Sequence, residues 1–257
     1  MEYAVILTVA LVASLLTLFS GFGLGTLLLP AFAAFFPLPL AVAMTAVVHL
    51  VNNLFKFALL GRGADRHVAA RFGLPAIAGA VLGALLLSRL EHLGPVASYS
   101  ISGRTAIVTW AKLVIGLLIV AFGLIEGLPA TRRVEFGRLW LPLGGLVSGF
   151  FGGLSGHQGA LRSAFLIRAG LSAQAFVATG VVIACLVDVT RLGVYAGHTR
   201  TEGLGSQWPI VAAASGAACL GAVLGTTLVR RVTLPMLRWI VAVGLVIFGC
   251  VMAAGIV

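Results

Sequence analysis

Long runs of apolar residues fill most of the chain, and they lack the alternating polar positions of half-buried strands. Examples are "AVILTVALVASLLTLF", "LVIGLLIVAFGLI" and "WIVAVGLVIFGCVMAAGIV", which approach or reach the roughly 20 residues that span a bilayer as helix. Backbone groups in lipid must be satisfied within helices or a closed barrel. Without strand-like alternation, the pattern predicts an all-α polytopic membrane protein.

The apolar runs fall into two halves of the same form. Each half begins with a long apolar stretch that glycines interrupt, at 3–36 and 139–169. Glycine weakens a helix by about 1 kcal/mol relative to alanine, so each stretch is predicted to be a glycine-broken helical hairpin. Three transmembrane helices are predicted to follow in each half, at 38–60, 72–90 and 105–126, and at 172–194, 208–229 and 235–256.

Short motifs recur between the halves in the same order. "GAVLG" at residues 79–83 returns at 221–225, a shift of 142 residues. "SG" at Ser20 returns at Ser155, and Asn53-x-x-Lys56 is echoed by Asp188-x-x-Arg191, both with a shift of 135 residues.

Three ordered markers at nearly constant spacing indicate an internal repeat. We therefore predict a single domain over 1–257, with repeat 1 at 1–126, a cytoplasmic linker at 127–138 and repeat 2 at 139–257.

Basic residues between the apolar runs bear on the orientation of the halves. If each glycine hairpin returns to its starting side, the halves are inverted, and the inside loops hold nine Lys and Arg against three outside. A parallel arrangement gives seven against five. Because inside loops carry the excess of Lys and Arg, the count favours inverted repeats with both termini outside.

Composition agrees with a membrane protein. Hydrophobic residues make up 60% of the chain and charged residues 9%, whereas soluble domains carry about a quarter charged residues. The net charge of +10 comes from arginines between apolar segments, so we expect no nucleic acid partner.

Residues 1–20 lack a basic start and a cleavage site, so we expect them to be a retained helix rather than a signal peptide. The three cysteines have no metal-ligand spacing, and we predict neither a metal site nor a cofactor.

The predicted helix 38–60 carries a polar stripe, and the equivalent helix 172–194 carries a second set. Polar residues inside a membrane are costly and mark functional sites, although they also join helices through hydrogen bonds. Lysine and arginine near helix ends can extend to the headgroups, and Asp188 can pair with Arg191 three residues on. The candidates for substrate binding here are His49, Asn52 and Asn53. The candidates for a coupling or structural role are Thr45, Lys56, Thr179, Asp188, Arg191 and Tyr195.

Two glycine loops, "SGFGLGT" at 20–26 and "SGHQGALR" at 155–162, each break a helix and lead into a new apolar run. A helix that begins inside the membrane presents free N–H groups and the positive end of its dipole. Two such starts that face each other predict a small-anion site, although glycine-rich stretches also serve close helix packing. Arg162 would supply a counter-charge suited to an oxyanion. The substrate-binding candidates in the loops are Gly21, Gly23, Gly25 and Thr26, and Ser155, Gly156, His157, Gln158 and Gly159.

One alternative is an intramembrane serine hydrolase, because Gly153 to Gly156 matches G-x-S-G with Ser155 as nucleophile. Such an enzyme needs a base against its serine, for which His49 or His198 is conceivable. We expect His157 to be poorly placed. The first glycine loop lacks the G-x-S-G pattern, which favours transport over hydrolysis. A second alternative is an anion channel.

The chain resembles the sulfite exporter TauE/SafE family of membrane transporters over nearly its whole length. The resemblance rests on "SGFGLGTLLLPAFAAFFPLPLAVAMTAVVHLVNNLFKF", "GGLVSGFFGGLSGHQGALRSAFLIRAGLSAQAFVATG" and "VDVTRLGVY". It implies secondary transport of sulfite, sulfonates or related organosulfur or carboxylate anions across a bacterial cytoplasmic membrane. The second loop departs from the family's usual run of glycines, so His157, Gln158 and Arg162 are subgroup features. Protons are a candidate coupling ion, through His49 or His157.

Overall fold

Ten α-helices, three short 3₁₀ helices (Gly61–Gly63, Arg138–Trp140 and Leu204–Gln207) and one β-hairpin make up the described part of the computed structural model, which covers residues 1–20, 23–101, 104–127, 136–198, 203–228 and 234–257. The hairpin pairs β1 (Pro95–Ile101) with β2 (Arg104–Thr109) in antiparallel register. The helices are α1 (Glu2–Ser20), α2 (Leu24–Ala33), α3 (Leu38–Leu60), α4 (Arg66–His92), α5 (Trp110–Gly127), α6 (Leu141–Ser155), α7 (Gly159–Leu166), α8 (Ala173–His198), α9 (Trp208–Leu228) and α10 (Leu234–Ala253).

Four helices are long and apolar enough to cross a membrane, at 38–63, 66–92, 173–197 and 204–225. Shorter apolar helices lie at 2–16, 24–33, 110–125 and 239–253. Large apolar side chains point outward from several of them, and Leu74 is 66% exposed and Trp239 63% exposed. Apolar surface of this extent suits contact with lipid. The prediction of a mostly helical, multi-pass membrane protein is confirmed.

The glycine-rich stretches are broken as the sequence predicts. In the first, α1 ends at Ser20 and α2 begins at Leu24. In the second, α6 ends at Ser155 and α7 begins at Gly159. Gly156 ends α6 with a φ of 83°, a left-handed conformation that glycine adopts without steric penalty.

The β-hairpin corrects one prediction. We expected a helix over 105–126, but residues 104–109 form β2 and the helix begins at Trp110. In β1, Ser98 and Ser100 alternate with Tyr99 and Ile101, and β2 is rich in Thr, Ile and Val, a composition that favours strands over helix. The hydroxyl of Tyr99 donates to the carbonyl of Ala254, so the hairpin is attached to the C-terminal end of α10. The prediction that every segment is helical therefore holds for the apolar spans but not for the link between α4 and α5, which is the β-hairpin.

Glycines allow the long helices to pack backbone against backbone. A Cβ at Gly79 or Gly83 of α4 would lie 2.1 or 2.0 Å from a carbonyl oxygen of α6, and one at Gly221 of α9 would lie 2.2 Å from a carbonyl oxygen of α1. Small residues at i and i+4 permit such close approach in membranes. The two copies of "GAVLG" therefore hold α4 against α6 and α9 against α1.

Helices α5 and α10 form a third close pair, and α3 lies against α8 at the centre. Helix α4 also packs on α8, and α9 packs on α3. Asp65 caps α4, since its Oδ1 accepts a hydrogen bond from the Val68 amide at 2.9 Å. These contacts surround the two helix breaks with packed helices.

Candidate functional site

The two glycine loops touch each other. A Cβ at Gly25 would lie 3.2 Å from the carbonyl oxygen of Gly156, and one at Gly23 would lie 3.6 Å from the amide nitrogen of Gly159. Gly21 lies outside the described residues. The starts of α2 and α7 are therefore in direct contact.

Neither helix start is capped by a side chain. Gly23 is the N-cap of α2 and Gln158 is the N-cap of α7, and no side chain at either position bonds to the helix amides. The first amides of a helix have no partner within the helix, and they carry the positive end of the helix dipole. This junction therefore offers backbone donors and a positive potential beside buried side chains.

A carboxylate lies at the centre of a buried network between α3, α8 and the second loop. Oδ2 of Asp188 is 2.6 Å from His49 Nδ1 and accepts from Asn53 Nδ2 at 3.1 Å. Its Oδ1 accepts from Gln158 Nε2 at 3.3 Å and from Arg191 Nε at 3.1 Å. Arg191 Nη2 lies 2.9 Å from the same oxygen. The predicted Asp188–Arg191 pair is present, and it forms part of a larger network than the spacing implies.

Arg191 and Tyr195 also stabilise the end of α6. Arg191 Nη1 lies 3.5 Å from the carbonyl oxygen of Gly152, and the Tyr195 hydroxyl donates to the carbonyl of Gly153. A Cβ at Gly156 would lie 2.8 Å from Arg191 Nη1. Tyr195 thus satisfies a carbonyl that the helix break leaves open, whereas the Gly152 carbonyl that Arg191 approaches also accepts from the Gly156 amide at 2.9 Å. The two side chains do not extend to lipid headgroups, since both are fully buried.

Arg162 lies one turn into α7. Its Nη1 donates to Gln158 Oε1 at 3.3 Å, and its Nε would lie 3.5 Å from a Cβ at Gly180 of α8. In the described ranges, no carboxylate lies within 4.0 Å of its nitrogens. The predicted counter-charge is therefore linked to the network through Gln158 and is not neutralised by an ion pair.

The prediction that His157 is poorly placed relative to Ser155 is wrong. His157 Nδ1 lies 3.0 Å from Ser155 Oγ because the left-handed turn at Gly156 folds the chain back. Ser155 Oγ also lies 3.2 Å from the carbonyl oxygen of Phe151, which can only accept, so in the Nδ1–H tautomer His157 donates to Ser155 and the hydroxyl donates to Phe151. That hydrogen-bond pattern does not activate a nucleophile. His157 stacks on Phe122 with centroids 5.3 Å apart, and its buried Nε2 has no hydrogen-bond partner.

The other bases considered for a hydrolase give it no support. His49 is bound to Asp188, and the side chain of His198 lies outside the described residues. Across the described ranges, His, Cys, Asp and Glu form no group of three that could hold a metal.

The polar side chains of α3 point in two directions. His49 and Asn53 face α8, whereas Asn52 and Lys56 face α1 and α9. The Asn52 amide oxygen accepts from Lys56 Nζ at 3.0 Å, and its nitrogen donates to Ser14 Oγ at 3.1 Å and to the Ala218 carbonyl at 3.2 Å. Lys56 is 7% exposed. It therefore does not extend its ammonium to the headgroups.

The predicted threonines have different surroundings. Thr45 is buried beside Gly25, and its Oγ1 has no hydrogen-bond partner. Thr26 is buried in the first turn of α2, and its Oγ1 would lie 3.4 Å from a Cβ at Gly23. Thr179 accepts from the Asp65 amide at 2.9 Å. Thr179 therefore positions the start of α4, while Thr45 and Thr26 lie at the loop junction.

Two residues near the site were not predicted. Ser148 donates to the carbonyl of Gln158 at 3.0 Å and so holds the second loop against α6. Phe122 of α5 provides the ring on which His157 stacks. Ser148 lies four residues from two glycines of a packing stretch, and Phe122 lies in a run of apolar residues. The sequence around either residue looks like that of an ordinary packing residue, so neither could be recognised as part of the site.

The family profile described as Sulfite exporter TauE/SafE matches residues 6–252 of the chain. The match includes both glycine loops, all the buried polar residues described above and nearly every helix. No curated protein and no solved structure matches the chain significantly.

Proposed function

The chain belongs to the sulfite exporter TauE/SafE family, and on this premise we propose that it is a secondary transporter whose small anion binds where the two glycine loops meet. The family is one of membrane transporters and not of enzymes. We propose sulfite, a sulfonate or a related organosulfur or carboxylate compound as the anion, and a bacterial cytoplasmic membrane as the location.

The contact between the two loops is the observation that carries the proposal. It brings together two helix starts that no side chain caps, with Thr45 next to Gly25. The buried Oγ1 of Thr45 and the buried Nε2 of His157, two residues before α7, have no hydrogen-bond partner. Buried polar atoms in proteins are nearly always hydrogen-bonded. Unpartnered atoms of this kind, next to free amides, are what a site for a small polar ligand provides.

The proposed roles follow from the contacts. Amides of Gly21–Thr26 and of Gly156–Gly159, other than those of Thr26, Gly156 and Gln158 that donate to backbone carbonyls, would hold the anion, and Arg162 would supply the counter-charge. Gln158 would orient Arg162 through its 3.3 Å hydrogen bond. We assign Asp188, Arg191 and Tyr195 to the support of the second loop, because each bonds to it or to the end of α6.

We propose that the two halves, 1–126 and 139–257, are inverted repeats within one domain, joined by a cytoplasmic linker at 127–138. The count of Lys and Arg in the loops favours the inverted over the parallel orientation. The helix pairs support the repeat itself, because exchanging the halves converts α1 with α9 into α6 with α4, and α4 with α8 into α9 with α3. The pairs α3 with α8 and α5 with α10 convert into themselves. This exchange is what a pseudo-two-fold axis produces.

Proton coupling through His49 is a further part of the proposal. His49 and Asp188 belong to different repeats and lie 2.6 Å apart. Protonation of the imidazole turns this hydrogen bond into an ion pair, so the strength of one contact between the halves depends on the proton. A transporter that alternates by moving one repeat against the other can use such a contact.

Binding is tested by thermal unfolding of the purified protein with a panel of small oxyanions. We expect at least one anion to raise the melting temperature of the wild-type protein, and Arg162→Ala to abolish the shift. Arg168→Ala is the matched control, because Arg168 is exposed just beyond α7 and its loss should leave the shift intact. The absence of stabilisation by any anion would contradict the proposal.

A further inference from the structure

The hydroxyl of Thr45, in the central helix α3, does not bond to its own helix. A threonine or serine inside a helix can donate its hydroxyl proton to the carbonyl three or four residues earlier. Thr190 in α8 and Ser215 in α9 do so, with distances of 2.7 and 2.8 Å to the carbonyl oxygens four residues back. Thr45 Oγ1 has no hydrogen-bond partner among the described residues.

The same hydroxyl is buried, because Thr45 is only 1% exposed. Nearly all buried polar atoms in proteins are hydrogen-bonded. A hydroxyl that is taken out of water without a hydrogen bond lowers the free energy of unfolding. Local defects of this kind are expected at functional sites, where a ligand supplies the partner that the chain does not.

Thr45 lies at the contact between the two glycine loops. A Cβ at Gly25 would lie 3.7 Å from Thr45 Cγ2 and 3.2 Å from the carbonyl oxygen of Gly156. Because Oγ1 and Cγ2 are bonded to the same carbon of Thr45, the hydroxyl lies next to the first turn of α2. The N-cap residue of α2 makes no side-chain hydrogen bond to the helix amides. An unpartnered hydroxyl and an uncapped helix start therefore meet at one place.

The equivalent position in the second half lacks a hydroxyl and meets a charged group instead. Gly180 of α8 lies 135 residues after Thr45, and this shift also relates the two loop motifs. A Cβ at Gly180 would lie 3.5 Å from Arg162 Nε, and Arg162 belongs to α7. Each of the two short helices, α2 and α7, thus has a different hydrogen-bond donor at its contact with the following long helix. One donor is the neutral hydroxyl of Thr45, and the other is the guanidinium of Arg162.

We propose that the hydroxyl of Thr45 binds the transported anion directly, by donating a hydrogen bond to one of its oxygens. The inference rests on the proposed function, because it adds a binding group to that same site. The bound anion gives the hydroxyl its missing partner, so no existing hydrogen bond has to break. A hydrogen bond to a charged acceptor is stronger than one between neutral groups. Thr45 therefore stabilises the occupied site and destabilises the empty one.

Replacement of Thr45 by valine tests both effects, because valine has the branched shape of threonine without the hydroxyl. Without added anion, we expect Thr45→Val to raise the melting temperature of the full-length protein in detergent, since it removes an unsatisfied polar atom. Sulfite, sulfate, methanesulfonate and acetate are then titrated, and affinities are taken from the rise of the melting temperature with anion concentration. Any of these anions that stabilises the wild-type protein should bind Thr45→Val at least about tenfold more weakly.

Two further variants separate the hydroxyl from the shape of the side chain. Thr45→Ser keeps the hydroxyl, so we expect it to retain the wild-type affinity for the anion. Thr179→Val is the matched control, because the Thr179 hydroxyl already has a partner and accepts from the Asp65 amide at 2.9 Å. We expect Thr179→Val to lower the melting temperature of the anion-free protein and to leave the anion affinity unchanged, the opposite of Thr45→Val in both respects.

The outcomes distinguish this inference from the proposed function. Wild-type affinity in Thr45→Val, or a lower melting temperature of its anion-free form, would overturn the inference and leave the proposed function standing. Equal losses of affinity in Thr45→Val and Thr45→Ser would also overturn it. If none of the four anions stabilises the wild-type protein, the proposed function is contradicted and the inference fails with it.

Discussion

His49 Nδ1 lies 2.6 Å from Asp188 Oδ2 and joins the central helices of the two halves, α3 and α8. The two residues are 139 positions apart in the chain, and both are buried. Around them Asn53, Gln158 and Arg191 complete a network that reaches the second glycine loop. The relationship places a titratable contact between the halves beside the junction where we propose the anion binds.

Replacing Asp188 should destabilise the protein strongly. Asp188→Asn leaves Arg191 buried without a countercharge, and the loss of one member of a buried pair costs about 3–5 kcal/mol. The free energy of unfolding of the purified protein measures this effect. The double variant Asp188→Asn with Arg191→Gln should lose less free energy of unfolding than the two single variants lose in sum. Additive losses would show that the two residues do not act as a pair.

Proton coupling should depend on His49. In His49→Gln the amide bonds to Asp188 but cannot gain a charge, so we expect uptake into proteoliposomes to lose its response to an imposed pH gradient. His67→Gln is the matched control, because His67 is exposed near the start of α4. A wild-type transport rate that ignores the pH gradient would exclude coupling through His49.

The serine in the second loop should be dispensable. Ser155 Oγ lies 3.2 Å from the Phe151 carbonyl oxygen and 3.0 Å from His157 Nδ1, so Ser155→Ala removes two modest hydrogen bonds of about 1 kcal/mol each. We expect Ser155→Ala to retain substantial transport and Arg162→Ala to lose it. An intramembrane hydrolase would show the reverse, with activity lost on replacement of Ser155.

Backbone packing by the repeated pentamer should be sensitive to a single methyl group. Gly83→Ala would place Cβ 2.0 Å from the Phe150 carbonyl oxygen, and such overpacking costs about 1–3 kcal/mol. Gly221→Ala in α9 should cost a similar amount through the Leu11 carbonyl.

Gly216 of α9 is the control for this packing effect, because a Cβ there meets no atom within 4 Å. Gly216→Ala should leave the free energy of unfolding unchanged or raise it by about 0.5–1 kcal/mol, since alanine favours helix more than glycine does. Thermal unfolding distinguishes the variants. Equal melting temperatures for Gly83→Ala and Gly216→Ala would contradict the packing of α4 on α6.

Helix positions could be predicted well, because apolar runs and helix-breaking glycines are local signals. The helix at 38–60 has the predicted bounds, and the breaks lie in both glycine stretches. The β-hairpin was missed because its alternation is short and lies between apolar runs. Its strand β2 also joins α5 without an intervening residue, so no polar segment marks the boundary.

The candidate site was predictable as a set of residues but not as a network. Helical spacing predicts the Asp188–Arg191 pair, since both residues lie on one helix three positions apart. It cannot give the contact of His49 with Asp188, which depends on how α3 and α8 pack. The contact of His157 with Ser155 depends on the left-handed turn at Gly156, and residue spacing alone suggested the opposite.

Counterflow in proteoliposomes tests the central claim most directly. Vesicles loaded with an unlabelled anion that stabilises the protein are diluted into a trace of the same labelled anion. The account predicts transient accumulation of label by the wild-type protein and by Arg168→Ala, and none by Arg162→Ala. Label that equilibrates without accumulating would indicate a channel, and equal accumulation by Arg162→Ala would contradict the proposed site.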